Sequence, residues 1–228
     1  MPRRFVPFVN GNYYHVYNKA LSGINPLDNN KDNNRLIDLI NYYRFSDHDK
    51  RFSAYHDLNI ANKYEYISEI QFRNNKYVNI HAFSLMPNHY HFLLEQVQDQ
   101  GIQIFMSKLI NSYTKYFNTK NNRNGQLFLT QFKSKLIVEE EIFLHVCRYI
   151  MLNPLTSNLV KSFKELELYP YTSLVDYLDV QRSFICTELF NNYLNDKQTL
   201  RKFISEQVMY QKELQHIKDL IKTEESVF

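Results

Sequence analysis

Two apolar runs, residues 78–85 and 89–96, meet at Pro87-Asn88, and this strand–turn–strand unit constrains the fold more than any other feature of the chain. Proline fixes φ at a turn position and cannot serve a central strand ladder. The chain therefore reverses here, and the two runs pair as neighbouring antiparallel strands. Along a strand, residues at i and i+2 point the same way. His89 and His91 thus present two imidazoles side by side, while Tyr90 and Phe92 face the opposite layer. Two neutral imidazoles aimed at one point form half of a metal site. The same pair also arises as hydrogen-bonded strand residues, and the spacing leaves both readings open.

The aromatic and β-branched stretch 13–18 predicts a first strand, followed by a polar loop over 22–34. Leu36, Leu39, Ile40 and Tyr43 recur at helical spacing and place a helix at 34–44. Residues 45–75 are polar and tyrosine-rich and carry no clear period. A second helix follows at 102–118, with Phe105, Leu109, Ile110, Tyr113 and Phe117 as its apolar stripe. After a basic, glycine-bearing loop at 120–126, residues 127–129 and 132–138 read as extended. Glu139-Glu140-Glu141 suits a helix N-terminus, and that helix runs through Tyr149 until Pro154 ends it near Asn153. Beyond about residue 184 the pattern is helical, closing on an amphipathic run over 200–222. This order predicts an α+β fold, a central antiparallel sheet with helices on one face.

At 228 residues and 44% hydrophobic content the chain buries a substantial core. A net charge of +3 permits nucleic-acid binding without demanding it. Cys147 and Cys186 stand far apart with no CxxC partner, which argues against a structural zinc site or disulfides and for a reducing cytoplasm. No apolar run approaches the roughly 18 residues of a membrane span, and no apolar stretch follows the basic N-terminus. The expectation is a cytoplasmic protein with no membrane partner.

Tyr149 and Asn153, four residues apart, share one helix face. A phenol can act as a covalent nucleophile but is weak unless activated. An amide one turn away can add a neutral third ligand to a metal held by two imidazoles, and such a metal would polarise a phosphate. The alternative is structural: Tyr149 as a buried aromatic and Asn153 as a helix C-cap beside Pro154. Tyr113 and Tyr116 fit core packing better than chemistry, because they lie on the amphipathic stripe. His15 fits a supporting or structural role, and His81 and His145 a structural one.

Taken together and in order, these elements resemble the HUH single-tyrosine transposases of the IS200-like superfamily, in their REP-associated tyrosine transposase branch. Leu85-Met86-Pro87-Asn88-His89-Tyr90-His91 is similar to that family's LMPNH lead-in and His-hydrophobic-His motif. Tyr149-Ile150-Met151-Leu152-Asn153-Pro154 resembles its Y-I-x-x-N-P block. Tyr14-His15-Val16, the run 113–118, the block 125–134 and the segment 169–174 resemble further family motifs, so the likeness spans about residues 10–180. Phe128 replaces the usual Trp of the 125–134 block. Gln131 stands where the family carries Arg, which removes a bidentate contact to phosphate or guanine.

The resemblance implies a ferredoxin-like HUH domain over residues 1–180 with a helical C-terminal extension over 181–228. It implies a transposase acting on single-stranded or hairpin DNA: an endonuclease and strand transferase. Tyr149 would attack a phosphodiester to form a 5′-phosphotyrosine link. His89, His91 and Asn153 would hold Mg²⁺ or Mn²⁺, although imidazole ligands alone would favour Zn²⁺. Lys133, Lys135, Arg123, Lys120 and Lys115 are the candidate DNA-binding residues, and the molecule would be a monomer or a homodimer. Two competing readings are a catalytically silent protein that binds hairpins or repeats, and an unrelated metal-dependent hydrolase built on the histidine pair.

Overall fold

β1 (Tyr13–Lys19) lies between β3 (His89–Gln96) and β4 (Lys133–Ile137), and β2 (Val78–Met86) flanks β3. All three pairings are antiparallel, giving the order β2-β3-β1-β4. The computed structural model describes residues 7–178, 182, 184–192 and 196–206. The connection from β1 to β2 holds α1 (Asn30–Tyr43), α2 (Phe52–His56) and α3 (Ile60–Arg73), while α4 (Gly101–Lys120) joins β3 to β4. With α1 and α4 as the two crossovers, this is the βαββαβ arrangement of a ferredoxin-like module.

The strand sequences explain why both faces of the sheet are covered. β2 and β3 are buried at nearly every position, not at alternate ones, so each face needs an apolar partner. Val16, Phe83, Leu85, Phe92 and Leu94 pack into one core with Leu36, Leu39 and Ile40 of α1 and Phe105, Leu109 and Tyr113 of α4. These two helices share a face, but the sequence pattern predicts all the helices on one face of the sheet, and α5 (Glu140–Thr156) departs from that. Ala82 and Leu93 belong to a second core with α5, which takes the opposite face. Phe190, Leu200 and Ile204, from α8 (Glu188–Asn191) and the helical stretch 197–206, join this second core. The rest of the amphipathic run at 200–222 lies outside the described residues.

The outer edge of β2 is closed by the segment after α6 (Phe163–Glu167). Leu85 donates to the Tyr171 carbonyl at 2.8 Å, and Ser173 donates to that of Phe83 at 2.9 Å. This pairing blunts an edge that would otherwise be open to other strands. Asp176 of α7 (Leu174–Leu178), buried beneath it, is held by Arg182 at 2.8 Å.

Three elements depart from the sequence reading. α1 begins at Asn30, inside the expected polar loop, because the Asn29 side chain caps it by accepting from Asp32 N at 3.1 Å. Residues 45–75 form α2 and α3. Their period is hidden because Ile60, Tyr64 and Phe72 of α3 face solvent while Tyr66, Ile67 and Ile70 turn inward. α5 continues past Pro154 to Thr156. A proline in the last turn forfeits a single backbone bond, and Ser157 closes the end by donating its N–H and Oγ to the Asn153 carbonyl at 3.0 and 2.7 Å.

Candidate active site on the α5 face

Strand register brings the site together. Tyr17 pairs with His91 and Lys19 with His89, and alternation puts His15, Tyr17, His89 and His91 on the face covered by α5. The His89 and His91 rings lie 5.2 Å apart at 87°. Tyr149 projects from α5 with its ring edge-on to both His91 (5.7 Å) and His15 (5.9 Å). It is 39% exposed, although Ile150, Met151 and Leu152 beside it on the helix are fully buried. Between Cys147 and Leu155 every residue of α5 but Tyr149 is buried, so this stretch offers one phenol to solvent beside two imidazoles.

Asn153 lies one turn beyond Tyr149 and is buried. The expected alternative, a C-cap, does not hold for its side chain. α5 runs three residues further, and the Asn153 amide interacts with His89 while its Nδ2 has no hydrogen-bond partner. An orphaned buried amide atom costs about 1–3 kcal/mol, and the two amide atoms are interchangeable by rotation.

Each histidine has one nitrogen occupied. His89 Nδ1 lies 2.7 Å from Asn88 Oδ1, and His91 Nδ1 lies 2.9 Å from His15 Nε2. With Nδ1–H donated in each case, both rings offer the Nε2 lone pair. Burial keeps them neutral. It pushes His91 down to about 3, with the neighbouring His15 and His89 adding to the effect. It pushes His15 down to about 4, helped by Lys135, and it lowers His89. Among the described residues no three of His, Cys, Asp and Glu converge on one point. Two neutral imidazoles and one amide are donors whose chemistry suits a divalent ion with positions left open for other oxygens.

The five expected DNA contacts divide between two sides of the sheet. Lys133 pairs with Tyr17 and Lys135 with His15 across β1 and β4, which puts both on the histidine face. Lys133, Lys19 and the two motif histidines line a cleft of about 430 Å³. Lys115, Lys120 and Arg123 belong instead to α4 and the loop after it. Lys120 bonds Asp32 at 2.6 Å, and Arg123 pins its loop through Asn118 Oδ1 (2.6 Å) and the Gln126 carbonyl (2.9 Å). A groove of about 920 Å³ on this side is lined by Arg35, Lys50, Arg51, Lys108, Lys115 and Lys120.

The other candidates fall into structural roles. Tyr113 and Tyr116 donate to the Pro26 carbonyl (2.6 Å) and to Asp32 (2.9 Å) in the α1–α4 layer, away from the histidines. His81 sits at the irregularity between Ile80 and Ala82 and lies 3.4 Å from Glu95. His145 contacts Arg148 at 2.6 Å. Sequence reasoning missed Asn88 as the group that orients His89. Its signal was adjacency, an amide directly before a candidate ligand.

The family model of IS200-like transposases matches residues 50–153. Among solved structures, a REP-associated tyrosine transposase bound to a REP hairpin aligns with a TM-score of 0.48 and 13% identity, over 82% of this chain and 89% of that one. No curated protein matches the sequence. The stretch that resembles the IS200-like transposases contains His89, His91, Tyr149 and Asn153.

Proposed function

We propose that this protein is a DNA strand transferase of the REP-associated tyrosine type, cutting and rejoining single-stranded DNA beside a hairpin. The observation that carries the reading is an exposed Tyr149 edge-on to His91, with Asn153 one turn away against His89. His89, His91 and Asn153 would hold Mg²⁺ or Mn²⁺. When bound, that ion would polarise a non-bridging phosphate oxygen and stabilise the charge that develops during attack.

The chain's own residues do the rest. Lys133 and Lys19 line the cleft and draw the phosphate toward the histidines. The Tyr149 oxygen attacks phosphorus, a new P–O bond joins tyrosine to the 5′ side, and the 3′ oxygen leaves and takes up a proton. Tyr149's own proton passes to solvent through its exposed edge. Because the bond energy stays in the phosphotyrosine, rejoining to another 3′-hydroxyl needs no nucleotide cofactor. Tyrosine and histidines come from one chain, which favours a protomer that acts alone. The groove along α4 is the proposed seat of the hairpin's sugar–phosphate backbone.

The test uses a hairpin with single-stranded flanks, labelled at one end or the other, incubated with Mn²⁺. The reading predicts an SDS-resistant adduct carrying only the fragment 3′ of the cut, and a free 3′-hydroxyl on the other fragment. Tight hairpin binding with no adduct across a metal series would establish a binding protein instead. Turnover without an adduct would establish a hydrolase.

A further inference from the structure

Beside the cleft that holds His89 and His91 is a second cavity, of about 380 Å³, between α4 and the 125–132 loop. That volume is at the lower end of the roughly 300–1,000 Å³ usual for small-molecule sites. Asn18 and Leu129 line both spaces and form the wall between them. Met106, Ile110 and Phe128 contribute apolar surface to it. Amides of Gln103, Asn111 and Gln131 also line the cavity, and no charged side chain does.

Tyr90 contributes a feature that packing does not explain. Its ring is fully buried against Phe128 at 5.3 Å, where phenylalanine would pack equally well, and its hydroxyl makes no well-formed hydrogen bond, only a weaker interaction with the Asn18 side chain. Asn18 lies beside it. That amide is already engaged: Nδ2 donates to the Leu129 carbonyl at 3.0 Å and Oδ1 accepts from Lys19 N at 2.9 Å. The Tyr90 hydroxyl is thus a buried polar group at the wall of a cavity built of apolar surface, neutral amides and the hydroxyl residues Ser107, Thr114 and Thr130.

We propose that this cavity takes one unstacked nucleobase of the DNA strand whose phosphate lies at His89 and His91. The inference rests on the strand-transferase reading and names what that site recognises. A base has apolar faces and a polar edge, which suits an apolar slot rimmed by groups that both donate and accept. Because Asn18 and Leu129 line both spaces, the cavity lies within about a nucleotide's reach of the cleft and is open to the same strand. Amides without a cation favour adenine, whose N6 and N7 match a Gln or Asn amide bidentately, whereas guanine is matched by Arg or Lys.

Two measurements on the full chain, made without divalent metal so that no cutting occurs, test this. First, a 12-mer oligo(dT) carrying one 8-azidoadenine is photo-crosslinked and the crosslinks are mapped by mass spectrometry. Crosslinks on peptides bearing Tyr90, Met106 or Phe128 are expected. Crosslinks confined to other surfaces, with DNA bound, overturn the pocket and leave the strand-transferase reading intact. No binding of any single-stranded or hairpin DNA sinks that reading and the pocket with it. Second, 12-mers of dA, dT and dC compete for binding, and dA should win by at least fivefold. Equal competition within twofold overturns the base assignment. Ile110→Trp fills the cavity and should erase both the crosslink and the preference. Should that variant fold poorly, Gln131→Ala, on the exposed loop, should still lower the preference several-fold, and an unchanged preference counts against the pocket.

Discussion

His15 and His91 lie 2.9 Å apart, Nε2 to Nδ1, across the β1–β3 pairing. This contact fixes which nitrogen of His91 is free. A residue of this kind acts through the ligand it orients, and such partners typically contribute 10–100-fold to metal affinity. His15→Asn should therefore weaken Mn²⁺ binding, read by calorimetry or electron paramagnetic resonance, by about 10–100-fold while leaving thermal stability close to wild type. Unchanged Mn²⁺ affinity would reduce His15 to a packing residue.

Asn153 discriminates ligation from helix structure. Asn153→Asp puts a full negative charge where the neutral amide now faces His89, so it should tighten Mn²⁺ binding, and Asn153→Ala should weaken it. Equal affinity for all three proteins would show that the side chain serves only the end of α5.

The basic residues of the two sides should separate in binding experiments. Lys133→Ala, in the histidine cleft, should lower affinity for single-stranded DNA more than for a blunt hairpin. Lys115→Ala, in the α4 groove, should do the reverse. Each should reduce the slope of log affinity against log salt by about one. Identical losses on both substrates would mean that one continuous surface binds both.

Stability should fall in mild acid, and His48 should account for part of that loss alongside the buried histidines of the site. His48 stacks on Tyr42 at 3.7 Å and lies 2.6 Å from that residue's carbonyl. Burial holds its pKa below the ordinary 6.5, with Lys108 adding to the effect against the Tyr42 carbonyl. The unfolded chain therefore binds the proton first, and stability present above about pH 6.5 is lost as pH drops through and below that value. Melting temperatures between pH 7.5 and 5 should fall more steeply in the wild type than in His48→Gln. Parallel curves would count against the assignment.

Much of this was readable in the sequence because strand alternation and helical spacing are local. That His89 and His91 share a face needed nothing beyond i, i+2, and the same holds for Tyr149 and Asn153 at i, i+4, but joining the two pairs into one site rested on the family resemblance. The hairpin at Pro87-Asn88 fell where a turn residue and two apolar runs put it. What escaped depended on contacts far apart in the chain. α3 hid its period because three large apolar residues face solvent. α5 outran Pro154 because a proline in a last turn costs little. Lys115, Lys120 and Arg123 looked continuous with Lys133 and Lys135 in the chain, yet the sheet separates them. The bond from His15 to His91 spans 76 residues, and no spacing rule contains it.

The central claim is that Tyr149 attacks the phosphate held by His89 and His91. Its most direct test is to trap the protein–DNA adduct on a single-stranded substrate with Mn²⁺, digest it, and locate the nucleotide by mass spectrometry. The account predicts a 5′-phosphonucleotide on the peptide containing Tyr149, and no adduct from Tyr149→Phe. An adduct on Tyr113, Tyr116 or Tyr17, or one formed equally well by Tyr149→Phe, would contradict it.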